Sequence, residues 1–407
     1  MDIRVTSETG RLHGVIVHTP GHEVSLVNPE LKDDLLFDDI IFESDAREEH
    51  LGMIEIFKAA IPSGGGVYEI VDLISEVLDI EEAKLAFIDK IVRFQPDLNL
   101  HTIRKEMAQM TTLELEKFVI NGTSPVLPGF SIHPLPNLLF TRDLAAVVPN
   151  GIVVSRAARN ARLRESLLME TLIEYHPMFS NIKNNAIRIG EQESIEGGDI
   201  LVPSEDVVMI GMSERTTFSG LLKASESLLN GNVKHVMIVD IPKQRSSMHL
   251  DTIFTFCSPN ECIAFPPAIM QRTDNVVILE KDGDKITTRS GRSVKHSLEE
   301  LLGWEMTFIE CGGSELTNQY REQWTDGANV FCLAPGVIVG YGRNTNTFEN
   351  MKRYGYEVVS QYEFVEEYKN KDFNPDANTK LAITFEGHEL CRGRGGARCM
   401  TLPINRS

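Results

Sequence analysis

A short apolar strand, a two- or three-residue turn, a second apolar strand and a helical stretch recur along this chain. Leu138 to Val148 runs into Pro149-Asn150-Gly151 and then Ile152-Val153-Val154. Ile200-Leu201-Val202 runs through Ser204-Glu205-Asp206 into Val207-Val208-Met209-Ile210. Thr252 to Phe256 leads through Ser258-Pro259-Asn260 into Ile263-Ala264-Phe265, and Val330 to Leu333 through Ala334-Pro335-Gly336 into Val337-Ile338-Val339. The turns carry the Pro, Asn, Gly and Asp that tight hairpins require. Spacings of roughly 50 to 75 residues between units are those of an internal repeat. Leu12 to Val17 and Leu381 to Phe385 read as strands of further units. The pattern predicts an α/β fold of ββα units. Units of this kind can close radially, which protects sheet edges and brings inner strand ends to one centre.

One stretch breaks the rhythm. From Tyr68 to Asn121 strand signals are few and helical ones many. Leu73, Ile74, Val77 and Leu78 share one helical face, as do Leu85, Ile88, Ile91 and Val92. Thr111 and Glu114 have the spacing of a capping box. Residues 68–121 are therefore expected to form a small helical domain inserted into the repeat scaffold, which takes 1–67 and 122–407.

Composition narrows the function class. The 407 residues are 42% hydrophobic and carry a formal net charge of −19. Such a chain is a poor nucleic-acid binder, because phosphate contacts need clustered Lys and Arg. Its negative field mildly favours a cationic substrate. No stretch approaches the roughly 18 apolar residues of a membrane span, and Met1-Asp2-Ile3-Arg4 does not begin a secretory signal. Six cysteines, at 257, 262, 311, 332, 391 and 399, are expected as free thiols in the cytoplasm. Cys257 and Cys262 lack the second pair that a structural zinc site needs.

Four stretches could carry chemistry. The first is Cys391-Arg392-Gly393-Arg394-Gly395-Gly396-Ala397-Arg398-Cys399-Met400. Its glycines permit close backbone approach, and cations beside a cysteine favour the nucleophilic thiolate. A basic surface turn around a buried cysteine accounts for the composition equally well. The second is Met248-His249-Leu250-Asp251-Thr252. On a strand, His249 and Asp251 would point the same way, one to move protons and one to hold a cation. The third, Ile195-Glu196-Gly197-Gly198-Asp199, and the fourth, Pro136-Asn137-Leu138-Leu139-Phe140-Thr141-Arg142-Asp143, each read singly as a turn or a strand approach. Three of the four stand near the strand starts of separate units.

Taken together, Phe140-Thr141-Arg142-Asp143, Glu196-Gly197-Gly198-Asp199, His249-Leu250-Asp251-Thr252 and Gly393-Arg394-Gly395-Gly396 through Cys399-Met400 resemble the motif set of the arginine deiminase family, in that family's order. The resemblance covers essentially the whole chain. It implies the five-bladed, pseudo-symmetric α/β propeller of the guanidine-modifying (pentein) superfamily, and hydrolysis of free L-arginine to L-citrulline and ammonia. It implies Cys399 as nucleophile, His249 as general acid and base, and Glu196 as the acceptor of a His249 hydrogen bond. Asp143 and Asp251 would grip the guanidinium, while Asn137, Phe140 and Gly393 would line the pocket. Arg215, Arg394 and either Arg162 or Arg164 would meet the substrate carboxylate, Arg162 fitting the spacing from Asp143 better. The effect of Arg398 on the neighbouring thiol is left open.

No metal and no organic cofactor is expected, and the chain is expected to form a homo-oligomer. Three other readings compete. One is a sister enzyme acting on agmatine or methylated arginine, or transferring an amidino group. Another is a metal-dependent hydrolase using His249, Asp251, Glu196 and Cys399. The third is a non-catalytic homologue.

Overall fold

The computed structural model of the chain describes residues 2–94, 100–283, 285–376 and 378–407. Among them the strands form five sheets, and one motif is common to all five: an antiparallel pair whose second-named member also pairs in parallel with a third strand. Ala145–Val148 is antiparallel to Gly151–Val154, which runs parallel to Ala186–Arg188. The same order holds for Ile200–Ser204, Val207–Met212 and His235–Asp240, and for Phe254–Ser258, Glu261–Ala264 and Thr307–Glu310. In the fourth sheet Phe331–Ala334 pairs with Val337–Tyr341, which runs parallel to Leu381–Phe385, with Glu357–Ser360 beyond it. Helices such as Leu163–Tyr175 and Phe218–Asn230 make the crossover that a parallel third strand requires. The fifth sheet joins the two ends of the described chain. Leu402–Arg406 is antiparallel to Leu12–Val17, which runs parallel to Gly66–Glu69.

The hairpins expected from sequence are present, but two first strands are shorter than expected. Leu138 to Leu144 is not strand. It forms two 3-10 turns, Pro136–Leu139 and Thr141–Leu144, and the strand starts at Ala145. Pro136 at the head of the first turn presets its φ. Likewise Leu250–Thr252 is a 3-10 turn and the strand starts at Phe254. The hairpin of Val276–Asp282 and Lys285–Gly291, which widens one sheet to five strands, was not foreseen.

Helices Ile70–Leu78, Glu81–Phe94, Leu100–Gln109 and Thr112–Asn121 fill the stretch expected to be helical, whose residues 95–99 lie outside the described residues. Tyr68 belongs to the strand Gly66–Glu69, so the helices begin at Ile70. The Thr111–Glu114 capping box is formed in both directions. The buried stripe of Glu81–Phe94 is Ala83, Phe87, Ile88 and Ile91, with Leu85 and Val92 only half-buried. These helices do not have a core of their own. Phe87, Ile91 and Phe118 share one apolar cluster with Ile3, Val147, Ile152 and Leu402 from the sheets.

Phe118 is fully buried in that shared cluster. Phe118→Ala is expected to cost about 3–5 kcal/mol and to lower one cooperative unfolding transition of helices and sheets together. An early, separate loss of helix in circular dichroism, with the sheets intact, would show two independent cores instead.

Candidate active site

Three of the four motifs reach the centre by the same local device, a 3-10 turn ahead of the first strand of a sheet. Thr141–Leu144 carries Asp143, Gly197–Asp199 follows Glu196, and Leu250–Thr252 follows His249 and carries Asp251. These turns pack against one another. His249 and Asp251 thus reach the site through a tight turn and not through the strand alternation expected from sequence. The fourth motif is the loop between Leu381–Phe385 and Leu402–Arg406, which holds Cys399. Two glycines are required by closeness. A Cβ on Gly198 would stand 2.7 Å from His249 Nδ1 and 2.9 Å from Asp143 Oδ1, and one on Gly395 would stand 2.4 Å from Phe140. Neither position tolerates a side chain.

The motifs enclose a cavity of only about 20 Å³, room for about one water. Asn137, Phe140, Asp143, Arg162, Arg215, His249, Gly393, Arg394 and Cys399 line it, all of them expected. Glu196 and Asp251 stand directly behind. Leu36, Arg245 and Met248 complete the wall and were not foreseen. Arg245 donates to Leu36 O at 2.6 Å and meets both Asp38 oxygens at 3.2 Å, which fastens the 36–38 segment over the cavity.

The charges are buried and paired. His249 Nε2 lies 2.8 Å from Glu196 Oε2, and its Nδ1 lies 3.5 Å from Asp143 Oδ1. Burial alone would lower the His249 pKa, but Asp143, Glu196 and Asp199 outweigh it and raise it to about 9. Burial likewise works against the Glu196 carboxylate, yet His249, Arg215 and Arg162 hold its pKa down to about 2. Arg162 Nη1 sits 2.5 Å from Asp143 Oδ2, and its Nε 2.8 Å from Glu165. Arg398 Nη1 sits 2.7 Å from Asp251 Oδ2, with Glu8 on its other nitrogens at 3.0 and 3.1 Å. Each carboxylate expected to hold a guanidinium therefore already holds one of the chain's own. Asp143 Oδ1 remains a buried acceptor with no hydrogen-bond partner among the described residues.

One expectation is corrected. Cys399 is not surrounded by cations. Its Sγ lies 3.9 and 4.0 Å from the Asp251 carboxylate oxygens, and burial with Asp251, Asp143 and Asp326 pushes the thiol well above its usual range. The nearby arginines are spent elsewhere: Arg398 on Glu8 and Asp251, Arg392 on Asp39 and Glu389. Arg394 has left-handed backbone, φ 66°, and its guanidinium stacks 3.8 Å over the Trp324 ring and bonds the Trp324 carbonyl. It touches the cavity but has a partner outside it. Between Arg162 and Arg164, only Arg162 lines this cavity. Arg164 turns to the His133 carbonyl.

Asp143, Glu196 and His249 each offer a ligand atom within 4.8 Å of the others, a geometry that could hold a metal ion. Their charges are already met, since His249 and Arg162 lie between the two carboxylates. Asp251 and Cys399, which the metal-hydrolase reading needed, are not in this group. Asn329, also unforeseen, holds the site together from below. Its Oδ1 accepts from Cys399 N at 3.0 Å and its Nδ2 donates to Asp251 O at 2.9 Å. No local sequence signal marks Asn329, Glu8 or Arg245. Their partners are distant in sequence, except that Arg245 stands four residues before His249.

Comparison with known proteins places the chain. The family model described as arginine deiminase matches residues 33–126 and 121–406. The arginine deiminase of Listeria monocytogenes serotype 4a is 32% identical, over 99% of this chain and 98% of its own length. That of Mycoplasma capricolum is 34% identical, over 99% and 96%. Among solved structures, a citrulline complex of a Cys-to-Ser mutant of the Pseudomonas aeruginosa enzyme DDAH aligns with a TM-score of 0.52 at 14% identity, covering 96% of this chain and 99% of that one. An amidinotransferase from Microseira wollei aligns with 0.54 at 13%, covering 99% and 97%. The structural likenesses show an α/β fold in common.

The ion pair of His249 has a pH signature. A free imidazole titrates near pH 6.5, and the folded one near 9. Because the folded pKa is raised, the stabilisation is complete below about pH 6.5 and is lost as pH rises to about 9. Wild type is expected to lose on the order of 3 kcal/mol more than His249→Gln across that window, read as the difference between their denaturation midpoints. Parallel curves for the two proteins would refute the buried imidazolium.

Proposed function

The chain belongs to the arginine deiminase family, and from that premise we propose that it hydrolyses free L-arginine to L-citrulline and ammonia through a thiouronium on Cys399. The observation that carries this is the grouping of one thiol, one imidazolium–carboxylate pair and two further carboxylates around a single closed cavity. The five sheets support the five-bladed propeller reading, with the helices of residues 70–121 as an insertion. We read the enzyme as cytoplasmic and homo-oligomeric.

Guanidinium resists attack because its charge is spread over three nitrogens. Two carboxylates can fix its plane by charge-assisted hydrogen bonds and turn the central carbon toward a nucleophile. Asp143 Oδ1 is a buried acceptor suited to one such nitrogen, and Asp251 lies beside the sulfur. Arg162 in this reading is a resting occupant of Asp143. The substrate guanidinium replaces it there, and Arg162 with Arg215 meets the substrate carboxylate.

Electrostatics then favour attack only when substrate is present. With carboxylates around it, Cys399 stays a thiol. A bound guanidinium reverses the local sign and favours thiolate, the thiol proton passing to water. The sulfur adds to the central carbon, giving a tetrahedral intermediate. His249, protonated in the resting site, donates to the departing nitrogen, which leaves as ammonia. The thiouronium that remains is attacked by water, and His249 takes the proton that this attack releases. Collapse of the second tetrahedral intermediate frees citrulline and returns the sulfur. Every group in these steps belongs to the chain, the substrate or water.

Acid quench of the enzyme with excess arginine, then digestion and mass measurement, is expected to find the C-terminal peptide heavier by arginine less ammonia, at Cys399. Glu196→Gln, which disturbs the His249 partner, should slow the water step and raise that population. Turnover intact with no adduct at any quench time in either protein would rule out the thiouronium.

Asp143→Ala and Asp251→Ala each remove one arm of the grip. A charged hydrogen bond is worth about 1.5–3 kcal/mol, so kcat/KM should fall at least tenfold in each. Citrulline formation should be indifferent to a chelator, and loss of activity with chelator would favour the metal reading. Agmatine, lacking the carboxylate, should be a far poorer substrate than arginine, and comparable kcat/KM values would refute the roles of Arg162 and Arg215.

A further inference from the structure

Four of the five sheets are preceded by a motif that carries a side chain to the centre. Asp143 comes ahead of the strand at Ala145, Glu196 ahead of Ile200, Asp251 ahead of Phe254 and Cys399 ahead of Leu402. The remaining sheet begins at Phe331, and Asn329 stands in the corresponding place. The turn that carries it is tight. Asp326 has left-handed backbone, φ 62°, and Asn329 N donates to Asp326 O at 3.0 Å. Thr255 Oγ1, from the neighbouring sheet, donates to Ala328 O at 2.7 Å. The backbone under Asn329 is thus held independently of what its side chain does.

That side chain is buried, 1% exposed, and uses both ends of its amide. Oδ1 accepts from Cys399 N at 3.0 Å, and Nδ2 donates to Asp251 O at 2.9 Å. A primary amide is an acceptor and a donor a fixed distance apart. It therefore sets the backbone of the thiol loop against the backbone of the Asp251 turn. With them it sets the 3.9 and 4.0 Å between Sγ and the Asp251 oxygens. The fit is close on the other side too, since a Cβ on Gly396 would stand 2.6 Å from Asn329 O and 2.9 Å from its Oδ1. Aspartate could accept but not donate, and it would add a charge beside a sulfur already among carboxylates.

We propose that Asn329 is a positioning residue, which fixes Sγ against the carboxylates that take the substrate cation. The proposal rests on the reading of Asp143 and Asp251 as that grip. Misplacing a reacting atom by about 1 Å can cost roughly a hundredfold in rate. Loss of the amide therefore slows attack on a gripped cation and leaves the grip itself nearly unchanged.

Two alkylating probes with the same leaving group separate placement from reactivity. Chloroacetamidine is a cation that the carboxylates can hold, and chloroacetamide is neutral. With each, Sγ bonds to the methylene carbon, chloride leaves with the bonding pair, and the thiol proton goes to water. Alkylation of Cys399 in the full chain is followed by digestion and mass measurement, relative to the rate of each probe with free cysteine. Wild type should favour chloroacetamidine at least tenfold. In Asn329→Ala its saturating rate constant should fall at least tenfold, while the half-saturating concentration changes less than threefold and the chloroacetamide rate is kept. Thr255→Val, which loosens the same turn without touching the amide, should melt lower yet keep both rates. If Asn329→Ala fails to fold, Gly396→Ala, whose methyl presses on Asn329, should show the same selective fall. The proposal is overturned if the preference survives in the foldable variant, if chloroacetamide slows equally, or if Thr255→Val loses the preference as well. A wild type with no preference for the cationic probe would refute the grip, and this proposal with it.

Discussion

A charge removed from water must be met by another charge, and the centre of this protein is organised by that rule. Glu8, Asp143, Glu165, Glu196 and Asp251 are all buried, as are Arg162, Arg215, Arg398 and His249. None could be buried singly without a heavy desolvation cost. They come from different sheets, so pairing them requires the sheets to meet. Arg398 illustrates this, joining Glu8 near one end of the chain to Asp251 in the middle. The same pairing keeps the cavity nearly shut, because Arg162 occupies a carboxylate that a cationic substrate would otherwise take.

Much of this was legible in the sequence because the relevant information is local. Hairpin turns rich in Pro, Asn and Gly marked four strand pairs, and each pair formed. The capping box at Thr111 needs only two residues three apart, and it too was readable. The four motifs and the resemblance they carry named nine of the twelve residues that line the cavity. What failed depends on contacts that no short window contains. Leu138 to Leu144 reads as apolar strand, yet two successive 3-10 turns carry Asn137 and Asp143 inward there. His249 and Asp251 come together through a 3-10 turn and not through the strand alternation expected.

Cys399 shows the limit most clearly. Three arginines lie in the eight residues before Cys399, and proximity suggested a stabilised thiolate. In space those arginines point to Glu8 and Asp251, to Asp39 and Glu389, and to Trp324. The charges that prevail at the sulfur are the carboxylates of Asp251, Asp143 and Asp326, all more than seventy residues away. His249 and Arg394 face the same cavity but do not outweigh those carboxylates at the sulfur, and a substrate bearing a further cation is suited to do so. Chemical selectivity of this kind resides in the resting protein's refusal to ionise its own thiol.

The sheet that joins the two ends of the described chain has a consequence for how the site comes into being. Leu402–Arg406 follows Cys399 by three residues and zips onto Leu12–Val17. Synthesis proceeds from the other end, so Leu12–Val17, which can already pair with Gly66–Glu69, waits for its second neighbour until the residues between have been made. Four sheets are built from strands close together in the sequence and can form as they emerge. The fifth is a clasp that shuts only afterwards, and the Cys399 sulfur rides on it. Assembly of the cavity is thereby postponed until architecture is finished, and a partly made chain carries its three other motifs without Cys399.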